Sequence, residues 1–398
     1  MAELPWLTIL GIGEDGVEGL SAAARLALDA AELVMGAPRH LALLPGLRCE
    51  AVEWPVPFAD GVPLLLAQRG RRVVMLASGD PFWFGAGTSV TRHLVPGEWI
   101  ALPALSSFAR AAARLGWALQ DTPCLGLHAA PVTRLRPHLV PGRRLLVLVR
   151  DGAAVAGIAG YLDGTGFGAS RLHLLEALGG ARERVRAVSA DTYAFSDVAH
   201  PVTVGIEVAG AGMVLPVACG RDDSWFASDG QLTKRPVRAL TLSALGPRPG
   251  ALLWDIGAGS GSIGIEWLLA HPANRAVAIE ADPVRAERAR GNAAALGVDR
   301  LAVLVGRAPA LLPEETPDAV FIGGGLSQFL LEALWARLPA GARLVANAVT
   351  LESEALLAQW HAERGGSLLR IELAEAVPLG GRHGWRARYP VVQWSITR

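Results

Sequence analysis

The stretch Trp254-Asp255-Ile256-Gly257-Ala258-Gly259-Ser260-Gly261-Ser262-Ile263-Gly264 constrains the fold more than any other part of the chain. An apolar run over 251–256 leads into it, and a helical pattern reaching about Leu269 leaves it. Glycines at this spacing let the main chain turn tightly and let a ligand approach the backbone. In dinucleotide enzymes such a loop seats a pyrophosphate on a helix N-terminus. Asp255 argues against that use, because a carboxylate repels a pyrophosphate. The same carboxylate suits a ligand with a positive end, such as an ammonium or a sulfonium. Glu280 stands 25 residues after Asp255, at the tip of the next apolar run. An acid there can accept hydrogen bonds from both hydroxyls of a ribose.

The pattern around this loop is α/β. A helix over 233–245 precedes the strand 251–256. After the loop come a strand over 276–280, a helix over 283–296, strands over 302–305 and 319–322, a helix through the 330s and a strand over 343–346. Strands alternating with helices across short loops imply a doubly wound, mostly parallel sheet with helices on both faces. The first half is also α/β. Apolar runs over 7–10, 73–77, 145–149 and 202–208 read as buried strands. Helices are expected over 21–31, with Ser21 as N-cap, and over 107–115. A chain of 398 residues exceeds the size of one core. The pattern restarts after a junction at about 210–222, giving domains of 1–212 and 222–398.

Composition excludes several classes. Lys plus Arg and Asp plus Glu are 37 each, which argues against a nucleic-acid partner. No run of eighteen apolar residues suggests a membrane span. The start of the chain, 1–13, lacks the basic region of a signal peptide and reads as a first core strand. Cys49, Cys124 and Cys219 are far apart and odd in number, without metal-ligand spacing. They point to cores in a reducing cytoplasm, and no metal site is expected.

Further motifs in the second half give the loop a context. Gly230-Gln231-Leu232-Thr233-Lys234-Arg235 leads through Val237-Arg238 into the first helix. Gly306-Arg307-Ala308-Pro309 follows the third strand, and Phe321-Ile322-Gly323-Gly324-Gly325 ends the fourth. With His383-Gly384-Trp385-Arg386 and Pro390-Val391-Val392-Gln393-Trp394, this half resembles class I S-adenosylmethionine methyltransferases. More narrowly, it resembles the cobalamin-pathway domain that methylates and decarboxylates a precorrin. The resemblance implies cofactor contacts at Asp255, Gly257, Gly259, Gly261, Glu280, Gly306, Arg307 and Ala308, with the cleft opening toward substrate at Gly323 and Gly324. The first half carries Gly11-Ile12-Gly13, Ser78-Gly79-Asp80-Pro81-Phe82-Trp83-Phe84-Gly85, Pro103 with Ser106-Ser107 and Phe108, Leu127-His128 and Glu183-Arg184-Val185. In this order they resemble the tetrapyrrole methylase family, an unrelated methyltransferase fold, and imply a second cofactor site at Gly11, Gly79, Asp80, Ser106 and Ser107. Where cobalamin members usually follow the histidine with Gly-Arg, this chain has Ala129-Ala130.

Two such folds in this order resemble a fused family of cobalamin biosynthesis. That resemblance implies methylation of a precorrin-6 macrocycle at carbons 5 and 15, with loss of carbon dioxide from the acetate on carbon 12, giving precorrin-8. The first domain would methylate carbon 5. The second would methylate carbon 15 and decarboxylate. Each would bind S-adenosylmethionine, and related domains self-associate, so a homo-oligomer is expected. A macrocycle bearing acetates and propionates calls for cations. Lys234, Arg235 and Arg238 form one candidate cluster, and Arg382 and Arg386 form another, with His383 as a candidate acid or base. Trp385 and Trp394 are expected in a core or a subunit face.

Overall fold

A computed structural model describes residues 5–398. The first four residues of the N-terminal reading lie outside the described residues. The chain forms two compact units. One runs to Val132 and resumes over His138–Met213; the other holds Thr133–Pro137 and Val214–Arg398.

In the first unit, a five-stranded sheet places Glu50–Glu53, Leu33–Gly36, Val73–Ser78, Leu7–Ile12 and Trp99–Leu102 side by side. All its pairs are parallel. The runs expected to be buried strands are its centre: Leu7, Ile9, Val73 and Met75 have almost no solvent contact. Ser21 caps the helix Ala22–Asp29 by accepting from the amide of Ala24 at 3.2 Å. Ser106 does the same for Ser107–Leu115 through Ala109 at 3.1 Å. Each cap contributes about 1 kcal/mol. A second sheet orders Cys124–Gly126, Arg144–Leu148, Val202–Glu207, Arg171–Glu176 and Arg184–Ser189. It is mostly antiparallel, and only Arg144–Leu148 and Val202–Glu207 among its strands are expected from the sequence.

The second unit is built on a seven-stranded sheet ordered Ala302–Val305, Arg275–Glu280, Leu252–Ile256, Ala319–Ile322, Arg343–Ala348, Val391–Thr397 and Ser367–Ile371. The first five strands are parallel, and the last two join antiparallel. Side chains alternate between two helical layers. Leu253 and Phe321 pack toward Leu242, Ile263 and Ala293, whereas Trp254, Ile256 and Ile322 pack toward Leu330, Leu334 and Leu357. Strand order reverses at Leu252–Ile256, whose neighbours on either side are the second and fourth strands. A crevice opens at the carboxyl ends of the strands at such a point. Trp394 is core, its indole donating to the carbonyl of Gly365 at 2.9 Å, while Trp385 is 79% exposed on the hairpin Ala374–Leu379/Arg382–Ala387. Cys219 is exposed, against the expectation of a core position, and Cys49 and Cys124 are half-buried.

One ionic network lies inside this unit. Glu266, on the helix Ser262–Ala270, has no solvent contact through its side chain. It accepts from the amides of Gly220 at 2.7 Å and Arg221 at 3.0 Å, from Arg221 Nη1 at 3.2 Å and from Arg238 Nε at 2.6 Å. Arg238 is 0% exposed and also donates to Asp223 at 3.1 Å and to the carbonyls of Thr233 and Arg221. Removing one partner of a buried pair strands the other charge, at a cost of about 3–5 kcal/mol. Arg238→Ala should therefore lower the stability of this unit by about that amount in urea denaturation. Arg235→Ala, at an exposed side chain, should change it by no more than about 0.5 kcal/mol.

Candidate active site

The reversal of strand order opens a cleft of about 700 Å³ in the second unit. A cavity of this size holds a ligand of nucleoside dimensions with room for a second molecule. Its floor is Gly257, Ala258, Gly259 and Ser260. Its sides are Glu280 and Ala281, residues 306–308, residues 323–325 and the segment 230–234. Glu280 is 7% exposed. Its Oε2 accepts from the amide of Gly259 at 2.7 Å and its Oε1 from the amide of Asp282 at 3.0 Å. Each oxygen keeps a further lone-pair direction, so the carboxylate is fixed in place and can still accept from a pair of vicinal hydroxyls. Gly259 has φ +57°, and a Cβ there would project into the cleft, its nearest neighbour being the carbonyl of Gln231 at 3.7 Å. The floor is thus bare backbone beside a fixed acid.

Asp255 does not reach this cleft, contrary to the expectation that it meets the ligand's positive end. Its side chain is buried and its Oδ2 accepts from the amide of Gly264 at 2.9 Å, which ties the strand end to the helix after the loop. Burial raises its pKa to about 7, against the Gly264 hydrogen bond, with the Glu280 charge adding to the rise. Gly261, in the left-handed region, starts the helix Ser262–Ala270 and packs on Ala289; it shapes the loop from behind the cleft wall.

Of the expected substrate cations, the structure brings Lys234 to the cleft. Arg238 is corrected to a buried tie, its guanidinium used up by Glu266, Asp223 and two carbonyls. Arg235 points to solvent beside Asp222, at 3.9 Å. Arg382, His383 and Arg386 lie exposed on the hairpin and do not line the cleft, because that two-stranded sheet projects its residues outward. The cleft instead takes Arg388 and Tyr389, from just beyond the hairpin, and Arg285. Arg388 is gripped by both oxygens of Glu375 at 2.7 and 2.8 Å. Arg285 pairs with Asp229 at 2.8 Å. Their one sequence signal was charge close to a motif already singled out.

In the first unit, Gly79 and Ser107 line a small crevice of about 60 Å³. Gly11 lies against it from behind: a Cβ at Gly11 would stand 1.9 Å from the carbonyl of Gly79, so two strand-end turns meet backbone to backbone. Asp80 accepts from the amide of Phe82 at 2.9 Å and Ser106 caps its helix, so both shape the loops around the crevice. Arg39 pairs with Glu14, and Arg110 with Asp15 at 2.5 Å, and three of these four side chains line the same space. His40 sits beneath, its Nε2 2.9 Å from Ser78 Oγ, and burial with the neighbouring Arg39 charge lowers its pKa to about 4.

Comparison with known proteins follows the same division. Residues 224–398 match the family described as Precorrin methyltransferase domain, and residues 7–194 match Tetrapyrrole (Corrin/Porphyrin) Methylases. The chain is 52% identical over 400 residues to a Sinorhizobium sp protein named precorrin-6Y C(5,15)-methyltransferase (decarboxylating), covering 99% of this chain and 97% of that one. A Mycobacterium tuberculosis (strain CDC 1551 / Oshkosh) protein of the same name is 41% identical over 398 residues, covering 98% of this chain and 100% of its own. Among solved structures, the C-terminal domain of precorrin-6Y C5,15-methyltransferase from Rhodobacter capsulatus is 53% identical, with a TM-score of 0.44, covering 46% of this chain and 100% of that one. Among the described residues, no helix is long and apolar enough to cross a membrane, and no group of three or more His, Cys, Asp or Glu side chains could hold a metal ion.

Glu280→Ala should weaken S-adenosylmethionine binding at least about tenfold in calorimetric titration, since two charge-assisted acceptors are lost. Asp255 gives a pH signature. Its raised native pKa means that its ionisation opposes folding. The contribution is neutral below the unfolded value of 3.8, becomes unfavourable as pH rises through about 7 and is constant above that. Asp255→Asn should remove this dependence. The stability difference between variant and wild type, measured in urea, should shift in favour of the variant between about pH 4 and pH 8.

Proposed function

The chain belongs to the precorrin-6Y C5,15-methyltransferase (decarboxylating) family, and from that membership we propose that it transfers two methyl groups to a precorrin-6 macrocycle and removes one carboxyl group as carbon dioxide. The second unit takes methylation at carbon 15 and decarboxylation of the acetate on carbon 12. The first takes methylation at carbon 5. Each unit has its own S-adenosylmethionine site. The observation that carries this reading is the cleft floor: bare glycine backbone at a strand-order reversal, with Glu280 fixed beside it.

When bound, S-adenosylmethionine supplies a methyl group on a positively charged sulfur, open to attack by an electron-rich carbon of a reduced tetrapyrrole. The chain's own residues then have a limited task. Glu280 and the bare backbone of 257–259 orient the donor, the loop amides themselves being bound to Ile279 and Glu280. Lys234, Arg285, Arg307 and Arg388 set a positive rim facing a polycarboxylate. Phe321, Leu232 and Val237 give the cleft apolar wall that keeps water from the transferring group. Alignment of this kind contributes most of the acceleration when both reactants are already reactive. In the first unit, Gly79 and Ser107 hold the corresponding donor. Arg39 and Arg110, now neutralised by Glu14 and Asp15, stand where substrate carboxylates could exchange with those acids.

Incubation of the full chain with precorrin-6Y and isotope-labelled methyl donor tests the reading by mass. Two methyl gains and one carbon dioxide loss are expected. Gly79→Val places a side chain against Leu105 and Ser106 in a left-handed position. It should abolish one methyl gain and leave the other gain and the decarboxylation. A chain that gains no methyl from this substrate would refute the proposal.

A further inference from the structure

Of the 37 lysine and arginine residues in the chain, 36 are arginine and one is lysine, Lys234. That lysine lines the cleft of the second unit. Among the described residues, every other ion pair of an Asp or Glu except His173–Glu207 uses arginine, and so do the other three cationic positions of the cleft, Arg285, Arg307 and Arg388. Arginine is also the better grip for a carboxylate, through its planar fork. What lysine has and arginine lacks is a proton that can be given up in water's pH range.

The main chain around Lys234 is held on three sides. Arg238 donates to the carbonyl of Thr233, the amide of Arg238 donates to the carbonyl of Lys234 at 2.8 Å, and the amide of Arg235 donates to Asp223 Oδ1 at 3.1 Å. The buried Glu266 anchors Arg238 in turn. The side chain itself is only loosely engaged, with Nζ 3.8 Å from Asp223 Oδ2 and 36% exposure. A long ammonium on a fixed base, open both to the cleft and to water, has the form of a proton carrier. The other groups at the cleft with a proton to give are the hydroxyls of Thr233, Ser260 and Ser262 and the phenol of Tyr389, which is 88% exposed. Glu280 is a fixed acceptor.

Resting on the methylation and decarboxylation proposed above, we infer that Lys234 is the general acid that protonates the carbon left by carbon dioxide. The carbon–carboxylate bond breaks and carbon dioxide departs. The bond's electron pair passes into the adjoining ring imine, giving an enamine. The enamine pair then forms a carbon–hydrogen bond with a proton from Lys234, whose N–H pair stays on nitrogen. The neutral amine recovers a proton from solvent. The balance is one carboxylate and one proton consumed, one methyl group and one carbon dioxide formed.

The test compares wild type, Lys234→Arg and Lys234→Ala in the precorrin-6Y assay, with donor affinity and melting temperature measured for each. Both variants should melt and bind donor as wild type does. Both should form decarboxylated product roughly a hundredfold more slowly, the usual contribution of a general acid. In Lys234→Arg the loss should lie in kcat, with KM changed by less than about threefold. Small primary amines should partly restore Lys234→Ala. Wild-type rates in Lys234→Arg would reduce the lysine to a charge and overturn the inference. So would a loss confined to KM, a weakened donor affinity or an absence of amine rescue. A wild-type chain that releases no carbon dioxide would instead refute the proposed function.

Discussion

The pair formed by Glu266 and Arg238 is the constraint on which the second unit's site depends. Two charges without solvent contact are costly unless every lone pair and proton is used. Here Glu266 accepts from four donors and Arg238 donates to four acceptors, so the cost is offset only by one arrangement of the surrounding chain. That arrangement ties residues 220–223, residues 233–235 and the helix that leaves the glycine loop into one body. The segment 230–234, which has little regular structure of its own, is thereby held as a wall of the cleft. A hydrophobic substitute could fill the same volume, but it could not hold two carbonyls and two amides in register.

Much of this unit was legible in the sequence because its strands are buried on both faces. Continuous runs such as 251–256 and 319–322 announce themselves, and the glycine loop marks the strand order's reversal. Residues 257, 259, 280, 306–308, 323, 324 and 234, singled out from the sequence, all line the cleft. The antiparallel additions were not legible. Ser367–Ile371 exposes four of its five side chains, and the hairpin strands have mixed, charged faces with no clear alternation. Arg388 and Tyr389 therefore had no reason to be separated from Arg382 and Arg386, since only the hairpin's projection decides which of them meets the cleft.

Arg238 shows a different kind of failure. An arginine's sequence context does not tell whether it is buried, so a cluster of three cations near the loop reads as a substrate grip. The information lay on the partner. Glu266 is the only charge in Ser262-Ile263-Gly264-Ile265-Glu266-Trp267-Leu268-Leu269-Ala270, an otherwise apolar helix. A lone acid on such a helix needs a buried cation, and the nearest helix offered Arg238. Asp255 misled in the same way: its position beside the loop is right for a ligand, but its side chain is buried away from the cleft, its Oδ2 is tied to Gly264, and burial holds its pKa near neutrality.

The two units answer the same electrostatic demand with different economies of charge. In the first, the arginines beside the strand-end crevice are matched by acids from the glycine turn itself, Glu14 and Asp15, so the space is small and internally neutral. In the second, Glu280 is the sole acid on a wall that carries Lys234, Arg285, Arg307 and Arg388. Two of those arginines are paired with acids that do not themselves line the wall, Arg388 with Glu375 and Arg285 with Asp229. A half-exposed pair of that type holds by only about 1 kcal/mol or less. An incoming carboxylate can therefore exchange for Glu375 or Asp229 at little cost, and the grip on a polyanion tightens only when it is seated.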